Sequence, residues 1–175
     1  MLYIVARLKN KYPDIQYIIQ GSENPHTMEE HDKVYSRIIN IAEELDILEN
    51  ITINRGFVNR DILLSFIRTV KCCILPYTMH PEHNVRGTSG IARLIIGTTT
   101  PLITSNVHLF DDLDGIAIRC NDDEQIYEAI DDIFNNDKEK LNQMNNRKKF
   151  LFETSWKRIS KKLYNIYEEI LENDA

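Results

Sequence analysis

Cysteine, glycine, proline and tryptophan are all scarce in this chain: three, six, five and one among 175 residues. Two of the cysteines are adjacent, at Cys72 and Cys73, and no metal or redox spacing exists, which points to a reducing, cytoplasmic setting. No apolar run is long enough to cross a bilayer, so no transmembrane segment is expected. No basic leader or cleavage site opens the chain, where Met1 runs straight into Leu2-Tyr3-Ile4-Val5-Ala6. Basic residues are outnumbered by acidic ones, 21 to 27, for a net charge of -6. That balance argues against nucleic acid or an anionic membrane as the main partner. Internal repeats, low-complexity tracts and interdomain linkers are also lacking. What remains, 42% hydrophobic and 27% charged, suits one globular domain over residues 1–175.

The apolar pattern alternates between two periods. Leu2, Val5 and Leu8 lie at helical spacing, closed by Lys9, Lys11 and Pro13. Ile15 to Gln20 reads as a buried parallel strand ended by Gly21. Val34, Ile38, Ile41, Ala42 and Leu45 mark one face of a helix. A strand from Ile51 to Asn54 follows, ending at Arg55-Gly56. Asn59 can cap a helix carrying Ile62, Leu63, Phe66, Ile67 and Val70. Lys71 to Leu75 and the stretch around Leu102 are strands, with a helical turn over Val107 to Leu113. Gly115 to Arg119 is one more strand, and Asp122 or Asp123 caps a helix with Ile126, Ile130 and Ile133. Helices over 138–172 close the chain, with Trp156, Ile159, Leu163, Ile166, Ile170 and Leu171 on one stripe. Five short strands alternating with helices predict an α/β domain with a parallel sheet.

The sequence is organised around Arg86-Gly87-Thr88-Ser89-Gly90 and the apolar helix that starts there. Glycines flank two hydroxyl residues, so the turn has no bulk. Thr88 or Ser89 can cap the helix, leaving backbone N–H groups pointing outward at its positive end. Such a turn suits a phosphate, and a strand–loop–helix junction is where α/β sheets bind nucleotides. An ordinary capped core helix is the plain alternative.

Taken together, several stretches resemble the C-terminal, donor-binding half of GT-B glycosyltransferases of the family-4 type. They are Tyr12 to Gly21 with Pro25, Ala42-Glu43-Glu44-Leu45, Ile53 to Val58, and Ile74-Leu75-Pro76-Tyr77. Thr88-Ser89-Gly90, Pro101 to Ser105, and Tyr164 to Tyr167 complete the set. The resemblance implies a Rossmann-like, doubly wound parallel sheet that binds a nucleoside-diphosphate sugar. It places Gly56-Phe57-Val58, with Arg55, beside the base and Arg86 to Gly90 on the diphosphate. Pro76 to Gly87, Tyr77 included, would line the sugar and acceptor side. It demands no metal and no cofactor beyond the substrate, and assigns this chain no catalytic side chain. The implied activity is transfer of a hexose to a glycan or lipid acceptor. The family's first strand, its glycine-rich loop and its acceptor-binding N-terminal half have no counterpart before Met1. The missing half, on the same or a separate chain, is therefore an expected partner, and would carry any contact with a membrane. Where many members hold two glutamates eight positions apart, this chain holds Arg86 and Leu94. A non-catalytic binding module and a sugar-nucleotide epimerase, for which Glu82 is the sole carboxylate near the turn, are the rival readings.

Individual residues carry alternatives. Arg86 contacts a phosphate or is a solvated loop residue; Arg55 reaches the donor or only ends a strand. Tyr77 walls a pocket or merely packs. His80, Glu82 and His83 lack a third firm ligand and read as a polar loop rather than a metal site. Cys72 and Cys73 must point to opposite faces of a strand, as core residues. Trp156, Tyr164 and Tyr167 read as core, and Glu168, Glu169 and Glu172 as a solvated face. Without its first strand, the sheet is expected to close up, pairing the strand of Ile18 directly with that of Cys73.

Overall fold

The computed structural model describes residues 1–22, 26, 28–78, 88–135 and 137–173, and of 137–144 and 173 the backbone alone. Helices and strands alternate as the periodicity predicts. They are α1 (Leu2–Lys9), β1 (Tyr17–Gln20), α2 (Met28–Glu44), β2 (Ile51–Asn54), α3 (Arg60–Thr69), β3 (Cys73–Leu75) and α4 (Gly90–Ile96). Then come β4 (Leu102–Ser105), β5 (Ile118–Cys120), α5 (Asp123–Asn135), α6 (Asp137–Glu153) and α7 (Trp156–Asn173). Local chemistry sets several ends. Asn59 Oδ1 accepts the amide of Ile62 at 3.0 Å and starts α3. Asp122 is the cap of α5, its Oδ1 accepting the Gln125 amide at 2.9 Å. Before β5, Gly115 takes a φ of 70°, a conformation that would strain any other residue.

All described ladders are parallel, as an α/β fold requires. β1 pairs with β2, Tyr17 opposite Ile51 and Gln20 opposite Asn54. β4 lies between β3 and β5, with Cys73 opposite Leu102 and Ile103 opposite Ile118. Leu102, Ile103 and Thr104 are fully enclosed. One face of this three-stranded sheet packs on Ile67, Ala92, Ile95, Ile96 and Phe110. The other packs on Ile4, Leu8, Ile126, Ile130 and Ile133. Cys72 and Cys73 join these two opposite clusters, as strand geometry demands.

The sheet is in two pieces, β1-β2 and β3-β4-β5. The expected direct pairing of β1 with β3 does not form. The physical reason is α1. Its Ile4 and Leu8 pack with Cys72, Ile74 and Ile103, while Leu2 and Val5 pack with Tyr17 and Ile51; Ile15 belongs to both groups. Closing the seam would displace this helix. Burying Ile4, Val5 and Leu8 is worth about 1.5–3 kcal/mol each, against about 0.5–1.5 kcal/mol net for each strand hydrogen bond gained.

One predicted apolar face is partly core and another is not. Along α2, Ala42 is fully buried, Leu45 just after it packs on the same cluster, Ile38 and Ile41 are half-buried, and Val34 is exposed. On α7 the stripe of Trp156, Leu163, Ile166 and Ile170 faces outward, as do Tyr164 and Tyr167. Periodicity records that a face is apolar, not what covers it.

Candidate functional site

Parallel strands end on one side of a sheet, and there the loops after β1, β2, β3 and β4 gather. The turn into α4 belongs to the same side. Ser89 is the helix cap: its backbone is extended (φ -76°, ψ 117°) and its buried Oγ accepts the Ala92 amide at 3.3 Å. Its carbonyl takes the Arg93 amide at 3.2 Å. Thr88 and Gly90 on either side are exposed. A side-chain atom added at Gly90 would meet nothing within 4 Å among the described residues, and the first-turn amides of Gly90 and Ile91 lie at this exposed turn. Those amides precede the helix's own hydrogen-bond ladder. α4 has only seven residues, so local amides rather than a macrodipole are what the turn offers an anion. Arg86 and Gly87 lie outside the described residues, as do His80, Glu82 and His83.

After β2, Gly56 and Asn54 are tied to β1. The Gly21 amide donates to the Asn54 carbonyl and Gln20 Nε2 donates to the Gly56 carbonyl, both at 3.0 Å. Arg55 turns toward α2, its guanidinium 4.3 Å above the Tyr35 ring and ion-paired with Asp32. Phe57 stands 87% exposed and Val58 is half-buried. An uncovered aromatic ring over a loop is free to stack on a planar group.

After β3, Tyr77 is exposed but anchored. Its ring lies 5.3 Å from that of Phe110, and its carbonyl accepts from Ser105 Oγ, at the end of β4, at 2.6 Å. Next to it, His108 Nδ1 lies 3.0 Å from Asp111 Oδ2, and Arg119 donates to Asp111 at 2.8 Å and to Asp114 at 2.5 Å. The hydrogen bond with His108, followed by that from Arg119, holds the Asp111 carboxyl below its ordinary range, so it is ionised at neutral pH. It cannot serve there as a proton donor. The thiols are no nucleophiles either: burial, with the neighbouring Cys73, pushes Cys72 up to about 12. No group of three metal-ligating side chains occurs among the described residues. A depression of about 650 Å³ lies along α2, lined by Asp32, Lys33, Arg37 and Glu44. It belongs to the outer face of one helix rather than to the strand ends.

Arg147 escapes sequence reading. It is 3% exposed and holds the Thr100 carbonyl at 2.5 Å, Ile116 at 3.3 Å and Thr98 at 3.4 Å, fixing the loop between α4 and β4 from behind. Arg93, on α4 itself, ion-pairs with Asp112 and lies 5.0 Å from the Phe150 ring.

No family model and no curated protein matches this sequence. Solved structures do match its shape. Sucrose-phosphate synthase from Thermosynechococcus elongatus superposes with a TM-score of 0.68 at 16% identity, over 98% of this chain and 42% of that one. A glycosyltransferase from Rickettsia africae gives 0.65 at 18%, over 98% and 44%. The C-terminal domain of a glycosyl transferase group 1 family protein from Francisella tularensis gives 0.64 at 13%, over 87% and 76%. The chain has the GT-B C-terminal fold. It spans less than half the length of two of these structures. Within that Rossmann-like fold, the Ser89 turn, the Gly56 loop and Tyr77 all stand at the carboxyl ends of strands. No helix of the described residues is long and apolar enough to cross a membrane.

Proposed function

We propose that this chain is the nucleotide-sugar-binding half of a family-4-type glycosyltransferase, which moves a hexose, with retention, from a nucleoside diphosphate to a glycan or lipid. The exposed, Ser89-capped turn at the carboxyl end of a glycosyltransferase-like sheet carries the reading. In it, Arg86 to Gly90 hold the diphosphate. Backbone amides there favour the charge that grows on the leaving diphosphate as the sugar departs. Phe57, on the Gly56–Val58 loop, stacks on the base, with Arg55 steadying that loop through Tyr35 and Asp32. Tyr77 bounds the sugar. No catalytic side chain of this chain is invoked, and acceptor groups come from the missing half, in the cytoplasm.

Gly90→Pro tests the turn. Proline is favoured at the first helical position, and the extended Ser89 suits the residue before it. The variant therefore folds but lacks one donor amide. Calorimetric titration with UDP and with GDP should show binding by the parent and a loss of about tenfold or more in the variant, the weight of one hydrogen bond to a charged group. Equal affinities would remove the turn from the site. A second reading, a non-catalytic nucleotide-binding module, is favoured by Leu94. That residue is half-buried against the core where a sugar-binding glutamate is expected from the resemblance. The two part on one comparison: an enzyme half binds the sugar nucleotide more tightly than the bare diphosphate, whereas a module gains nothing from the sugar.

A further inference from the structure

Among the described residues, no side chain of α7 belongs to a buried cluster. Leu163, Ile166 and Ile170 are 46%, 49% and 51% exposed, so the stripe lies open to the same degree along successive turns. A lone helix of this length is marginal in water, and helices are held mainly by packing an apolar face. The stripe is spaced for a second helix: Trp156, Ile159, Leu163, Ile166 and Ile170 follow one another at 3, 4, 3 and 4 residues. That alternation is the seam of a two-stranded coiled coil. Charge runs in blocks along the same helix. Lys157, Arg158, Lys161 and Lys162 fill its first half, and Glu168, Glu169 and Glu172 its second. Lys162 and Glu169, seven residues apart, occupy equivalent positions on one flank of the stripe.

We propose that α7 pairs antiparallel with α7 of a second copy of this chain, about a two-fold axis passing between Tyr164 and Asn165. In that register Leu163 of one copy meets Ile166 of the other, and Ile159 meets Ile170. Lys162 of each copy lies beside Glu169 of the other, so the symmetry forms two ion pairs at once. The helix is therefore complementary to its own reversed copy. A parallel pair would set the two basic halves side by side and the two acidic halves likewise, which like-charge repulsion opposes. An anionic lipid surface suits the stripe less well, because the three glutamates share the helix with its basic residues. The pairing concerns α7 alone, so it stands or falls separately from nucleotide binding.

The experiment is sedimentation equilibrium of the 175-residue chain. Over about 1–300 μM, monomer should give way to dimer, and Trp156 emission should shift to the blue in step. Ile166→Asp should leave a monomer throughout, with an unchanged Tm at low concentration, because α7 lies outside the buried clusters. Lys162→Glu and Glu169→Lys should each weaken the dimer about tenfold or more. Their equimolar mixture should recover the parental affinity, because each variant supplies the charge that the other has lost. A parent chain that stays monomeric at about 300 μM would overturn the proposal, as would a dimer that survives Ile166→Asp. Charge variants that fail to recover on mixing would overturn the antiparallel register. A monomer that cosediments with phosphatidylserine vesicles would overturn the pairing and assign the stripe to a lipid surface.

Discussion

Arg147 illustrates how one side chain can matter out of proportion to its visibility. Its guanidinium has carbonyl oxygens of Thr98, Thr100 and Ile116 around it, and burial pushes its pKa down to about 10, which still leaves it charged at neutral pH. Arg147→Ala strands those buried acceptors and should cost about 1–3 kcal/mol, with Tm falling roughly 2–4 °C for each kcal/mol. Arg147→Lys should recover only part, since an ammonium cannot span three carbonyls in one plane. Thermal melts of both variants check this; an unchanged Tm for the alanine variant would mean that the brace does not exist. Nothing in Asn145-Asn146-Arg147-Lys148-Lys149 announces the role. By contrast, Asn59 is legible as a cap, and the other two caps are legible to within one residue, as Thr88 or Ser89 and as Asp122 or Asp123, because a cap and the amide it takes lie three residues apart; the structure uses Ser89 and Asp122. Arg55 lies between these cases: its place at a strand end was readable, but its engagement by Asp32 and Tyr35 on α2 was not.

Between elements, α1 and the loop after it are fastened to α5 by charge as well as by packing. Arg7 donates to both oxygens of Glu124 at 2.6 and 2.9 Å and lies 4.0 Å over the Tyr127 ring. Lys11 and the Tyr12 hydroxyl both donate to Asp131, at 2.7 and 2.8 Å. The hydrogen bond from Arg7 holds Glu124 below its ordinary pKa, and those from Lys11 and Tyr12 do the same for Asp131. A carboxyl depressed in the folded state adds stability above its unfolded pKa, near ~4, and loses it as pH falls through the folded value. Thermal melts should therefore fall in Tm below about pH 4. Asp131→Asn should start lower at neutral pH yet show a shallower acid slope; an identical slope would exclude the Asp131 contacts from the acid response. Each exposed pair is weak alone, so packing of Ile4, Val5 and Leu8 does most of the holding. The stripe of Ile126, Ile130 and Ile133 was readable as a core face, whereas its partner α1, more than a hundred residues away, was not.

At the scale of the whole molecule, α7 is exposed along nearly all of its length. Its tryptophan, the only one in the chain, is 84% exposed. Trp156 emission in the isolated chain at low concentration should therefore resemble that of indole in water and be quenched readily by iodide. A blue-shifted, protected emission would show that the α7 stripe is covered. The stripe also explains why a core was expected there: Trp156, Ile159, Leu163, Ile166 and Ile170 recur at helical spacing whether the covering surface belongs to this chain or to another.

Element order, parallel α/β class and the Ser89 turn were all readable from residues, because propensity, capping and hydrophobic period act over a few neighbours. Which apolar faces are covered, where the sheet parts, and which arginine is buried were decided only when distant segments met. α1 spans the seam because Ile4 and Leu8 fit against Ile103 and Ile130, and Arg147 is buried because Thr98, Thr100 and Ile116 present their carbonyls together. Contacts of that range depend on the summed packing of the whole chain, and no local pattern encodes them.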